Sequence, residues 1–85
     1  KLVIERTETG LIFKFPEDFR GSAITGKIHF YRPSNERMDR HFELDVDSEL
    51  SMYIAYENLF AGKYLVKLHW VANNIDYYYE EPWFF

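Results

Sequence analysis

Three histidines, His29, His41 and His69, are the side chains in this sequence best suited to chemistry. Each lies out of phase with its apolar neighbours: His29 between Ile28 and Phe30, His41 before Phe42, His69 between Leu68 and Trp70. Successive side chains of a strand point to opposite faces, so all three are expected outside the core. If the segments around Ile28 and Phe42 form a symmetric hairpin over the turn at Asn35, His29 faces His41 across the ladder. Directly opposed positions lie about 5 Å apart at Cβ, close enough for two imidazoles to share copper or zinc. The plainer reading is that these are solvated polar positions. No third ligand stands at a fixed short spacing, and Met38 and Met52 do not form the methionine cluster that would favour Cu(I). No metal site or cofactor is therefore assigned. Copper held by His29 and His41 is the one exception left open.

Other constellations are weaker. Ser22, Ser34, Ser48 and Ser51 lack the signature of an activated nucleophile. Glu80-Glu81 reads as a solvated strand end or a place for a basic partner. Gly21 and Gly26 sit in a connection with no helix following, so they form no phosphate cradle. Arg32 and Asp39 flank a rigid turn at Pro33-Ser34, where a charge-assisted pair would pin the loop; contact with a partner is the competing role. Trp70 and Tyr77 to Tyr79 could form an aromatic strip for sugar. Period two instead sends Trp70 inward with Leu68 and leaves Tyr78 out of phase with Tyr77 and Tyr79. No set of acid, base and nucleophile can be assembled, so an enzyme is not expected.

The elements that must position these residues are strands. Leu11, Phe13 and Phe15 alternate with Ile12 and Lys14, and Phe42, Leu44 and Val46 with Glu43 and Asp45. Tyr64, Val66, Leu68 and Trp70 form the longest such run. Period two with turn signals every 8–12 residues indicates a sandwich. Strands are expected near 2–7, 10–15, 26–32, 40–46, 50–56, 63–71 and 75–84, with one helical turn between Ser34 and Asp39 capped by Ser34 or Asn35. Asn73-Asn74 suits a tight hairpin, and Pro82 places the last strand at an edge or interrupts it. The expected fold is an all-β, immunoglobulin-like sandwich of two antiparallel sheets. Its expected core is Phe13, Phe15, Ile28, Phe30, Phe42, Leu44, Val66, Leu68 and Trp70.

Eighty-five residues make a single domain, 1–85. There is no cysteine, and aromatic residues make up 20% of the chain. Large rings, each burying about 150–250 Å², can stand in for the staples that small domains often need. Ten basic residues are scattered among fourteen acidic ones, for a net charge of −4, which argues against nucleic acid as a partner. The start at Lys1, with no methionine or signal peptide, reads as a fragment.

The stretch Gly26-Lys-Ile-His-Phe-Tyr-Arg-Pro-Ser34, followed by Asp39, resembles the hallmark of the FixH family. In that hallmark a strand ends in a tyrosine or similar residue, then come Arg-Pro-Ser and an aspartate a few residues on. Phe15-Pro16 before it, Leu44-Asp45, Leu59, Gly62-Lys63-Tyr64, the strand ending in Trp70, and Tyr78-Tyr79-Glu80 after it agree in order, over nearly the whole chain. The connection from Asp18 to Thr25 is longer than the family's usual one. The resemblance implies a soluble domain on the periplasmic side of the inner membrane, anchored by an N-terminal transmembrane helix absent from this sequence. It implies an accessory role in assembling cbb3-type cytochrome oxidase, linked to copper delivery, with membrane proteins of that assembly as partners. On this basis Tyr31, Arg32, Pro33, Ser34 and Asp39 are the motif positions, read as pinning the loop. An extracytoplasmic sandwich binding carbohydrate or another surface through exposed tyrosines is the alternative.

Overall fold

A computed structural model describes residues 2–84, apart from the side chain of Glu36. Its strands are β1 (Val3–Arg6), β2 (Gly10–Lys14), β3 (Thr25–Tyr31), β4 (Arg40–Glu43), β5 (Ser51–Ala55), β6 (Lys63–Ala72) and β7 (Ile75–Phe84). They form a three-stranded sheet in the order β1-β2-β5 and a four-stranded sheet in the order β4-β3-β6-β7. Every pairing is antiparallel, and the two sheets pack as the expected immunoglobulin-like sandwich.

The core follows from the alternation. Leu11, Phe13, Ile28, Phe30, Val66 and Leu68 are fully buried between the sheets. Among the described residues no polar or charged side chain is buried. Trp70 closes one end: Tyr77 stacks on it at 5.5 Å, and Phe15 and Phe19 meet it edge-on at 5.2 and 6.0 Å. Such contacts add about 0.5–1.5 kcal/mol each beyond area burial. Phe19 reaches the core from a 3-10 turn, Glu17–Phe19, inside what reads in sequence as a plain connection. At the same end, the β6–β7 hairpin turns at Asn73 and Asn74, which take φ of 54° and 64°, the left-handed pair a tight turn requires. Pro82 lies in β7, at the sheet edge.

Two expectations need correction. The strand foreseen over 40–46 ends at Glu43, and Phe42 and Leu44 are only partly buried. The reason is that the chain must leave the four-stranded sheet to reach β5 in the other. These two residues cover the sandwich edge rather than fill its centre. In their place Leu2, Leu11, Phe19, Leu50, Met52, Ile54, Tyr64 and Ala72 belong to the buried core.

Truncating Trp70 to Ala removes the ring that three aromatic neighbours pack against. A loss of about 3–5 kcal/mol is expected, measured by urea unfolding. An unchanged midpoint would show that the end of the sandwich does not depend on it.

Candidate metal centre

β3 lies between β4 and β6, and its inward residues Ile28 and Phe30 fix its register against both. That register places His29 directly opposite His41. Their rings stack at 4.1 Å between centroids, 20° from parallel. His29 is half-buried, while His41 is exposed on the edge strand.

The loop between β3 and β4 brings in a third group. Asn35 N–H donates to the Arg32 carbonyl, and Asn35 Oδ1 accepts from Arg37 N–H. Asn35 thereby caps a 3-10 turn over Glu36–Met38. The turn folds the chain back so that Asp39 lies beneath the start of the loop. Asp39 Oδ1 accepts the Arg32 backbone N–H at 2.7 Å, and Oδ2 lies 2.8 Å from His29 Nε2. A carboxylate only accepts, so Nε2 carries the proton there. The Asp39 side chain is 13% exposed. Desolvation pushes its carboxyl upward. The His29 hydrogen bond, the Arg32 N–H and the positive charge that His29 and His41 can carry outweigh that and hold it below its usual value.

Arg32 and Asp39 do not form the expected side-chain pair. Both carboxylate oxygens are already engaged, and the guanidinium turns the other way. Nη1 donates to the Ala61 carbonyl at 2.5 Å, and the group lies 5.3 Å from the centre of the Tyr64 ring. It occupies the space a side chain at position 62 would need, and Gly62 itself has φ of 131°. The motif residues thus split into two contacts: Asp39 with the Arg32 backbone, and the Arg32 side chain with the loop before β6. Tyr31 meets His29 edge-on at 5.8 Å and carries Lys67 Nζ over its ring at 4.5 Å. Pro33 and Ser34 are exposed. Pro33 borders a shallow apolar cleft with Leu65, Pro82 and Phe84.

His29, Asp39 and His41 are the group able to hold a metal among the described residues, with donor atoms all within 4.8 Å of one another. Ligands bound at about 2.0–2.2 Å in tetrahedral geometry sit about 3.3 Å apart. The His29–Asp39 separation is already short enough. The remainder requires a movement of about 1.5 Å, which the exposed His41 ring would have to make by rotation. A metal would take the place of the proton between Nε2 and Oδ2. The Arg32 N–H would stay on Oδ1 and orient the carboxylate, as outer partners of metal ligands do. Two imidazoles and a carboxylate suit borderline divalent ions, Cu(II) or Zn(II).

Asp39 as a donor is what sequence reasoning missed. The signal was its position two residues before His41, which on a strand phase returns to the same face. His69 stays apart, 3.3 Å from Asp76. Met52 is in the core, its sulfur accepting Asp45 N–H at 3.3 Å. The exposed tyrosines Tyr53 and Tyr78 lie on different sheets and do not share one platform. No family model, curated protein or solved structure matches this chain.

Replacing Asp39 with Ala leaves the Arg32 N–H and His29 without their acceptor. A loss of about 1–3 kcal/mol is expected at neutral pH, read from denaturant midpoints. Because the folded carboxyl titrates below its unfolded value, its contribution is full above about pH 4 and fades as the pH falls through the folded value. The gap between wild type and variant should therefore close in acid. A gap that persists unchanged at low pH would exclude the carboxylate charge as its source.

Proposed function

We propose that this chain is a non-catalytic accessory domain of the FixH type that binds one divalent transition metal, Cu(II) or Zn(II), through His29, Asp39 and His41. The observation that carries the reading is the convergence of two imidazoles and a mostly buried, preoriented carboxylate within 4.8 Å on the outward face of the four-stranded sheet. The resemblance supports it from another side. The aspartate that closes the Tyr31-Arg32-Pro33-Ser34 motif is the carboxylate donor, and a metal site is compatible with the copper-linked role that the resemblance implies. On this reading the domain works on the periplasmic side of the inner membrane. It serves assembly of a cbb3-type oxidase alongside membrane-protein partners, and the metal is what it handles there.

Titration of the domain with Cu(II) and with Zn(II), followed by calorimetry and by NMR at the histidines, tests the assignment. Binding of one ion per chain is expected, with shifts at His29 and His41 and none at His69. His29→Ala, His41→Ala and Asp39→Asn should each weaken binding by about tenfold or more. Since a coordinating imidazole must give up its proton, binding should be weaker in acid than at neutral pH. Wild-type affinity in the His29→Ala variant, or shifts confined to His69, would refute the site.

A further inference from the structure

We infer that the centre is completed from outside the domain, by an imidazole nitrogen that a partner protein presents, so that the metal is held at an exchange position rather than enclosed. The inference rests on the metal-binding reading above and goes one step further, to a ligand beyond the three donors that the described residues supply. Closed structural zinc sites have four protein ligands, and sites that act on something else keep a position open. The described residues supply three donors. Asp39 and half-buried His29 form the floor. His41, the third donor, is exposed on the edge strand of the sheet, so the remaining position faces solvent.

Among the described residues, two nearby side chains that could close the site face other partners. Glu43, the next outward residue on β4, is 80% exposed and faces Lys27 Nζ at 3.9 Å. His69 lies across β3 on β6, opposite Lys27, and faces Asp76. The donors already present select the kind of ligand that enters. Two imidazoles and a carboxylate hold a borderline divalent ion, for which another imidazole is a matched donor. With a metal bound, water would fill the position until a partner arrived. The incoming nitrogen would then form its bond to the metal as the metal–water bond breaks, releasing one neutral water with no change in oxidation state. His29 and Asp39 are held in place by a rigid sheet and by the Arg32 N–H, so the incoming ligand can bind before any of the three departs.

The experiment is a titration of the Cu(II)-loaded chain with free imidazole, followed by visible absorption and electron paramagnetic resonance, with size-exclusion chromatography to locate the copper. The expected result is a saturable spectral change with one added nitrogen coupling and copper still eluting with protein. Bound copper that ignores imidazole would overturn this inference and leave the metal-binding reading intact. Copper stripped without a ternary stage would do the same. No copper bound at the outset would overturn both. Glu43→Ala should keep wild-type copper affinity and the same response to imidazole. A tenfold or greater loss of affinity in that variant would identify Glu43 as the fourth ligand and overturn the inference.

Discussion

Ile28 and Phe30 are fully buried, and they pin the register of β3 against β4 on one side and β6 on the other. Side chains alternate along a strand, so a slip of one residue would turn both outward and bring His29 and Tyr31 into the core. The cost of that slip is the burial energy of two large apolar side chains, each about 1.5–3 kcal/mol, plus the desolvation of an imidazole. The site's geometry is thus inherited from the core. His29 stands opposite His41 because Ile28 stands opposite Phe42 on the other face.

What the register cannot do is bring in Asp39, which lies just before β4. That falls to the loop. The turn capped by Asn35 reverses the chain, and Asp39 spends one oxygen on the backbone of the residue that opens the loop. The carboxylate is thereby held before any ligand arrives, with its second oxygen directed at His29. A separate clamp secures the loop's other side, where the Arg32 guanidinium reaches the Ala61 carbonyl and packs by Gly62. Binding sites lose affinity when their donors must be ordered on binding. Here the ordering of His29 and Asp39 comes with folding, and for the proposed metal only His41 would have to turn.

Residues differ in how far their roles could be read without coordinates. The strands, the pairing of His29 with His41 and the edge position of Pro82 follow from period two and from turn chemistry, which are local. Phe19 does not. A lone phenylalanine in a polar connection gives no periodic signal, and its burial depends on Trp70 and Tyr77, far along the chain. The direction of Arg32 is set by a carbonyl 29 residues away, which no spacing rule reaches. Asp39 lay between these cases. Its phase with His41 was visible, but its convergence on His29 required the 3-10 turn. Phe42 and Leu44 alternated correctly yet proved peripheral, because alternation reports which face a residue is on and not how near the sheet's edge it lies.

Stability and chemistry are separated in this domain. With no cysteine to cross-link it, the sandwich relies on an apolar core free of buried polar side chains among the described residues, and on the aromatic cluster around Trp70. The imidazole pair sits outside that core, and His41 is at its exposed margin. Substitution at His41 therefore removes a donor without opening a cavity, whereas loss of Asp39 touches both the loop and the site. A centre placed this way can gain, lose or exchange its ligand set with the sandwich intact. That independence is what the proposed exchange of a metal ligand requires, since the fold would not depend on the metal.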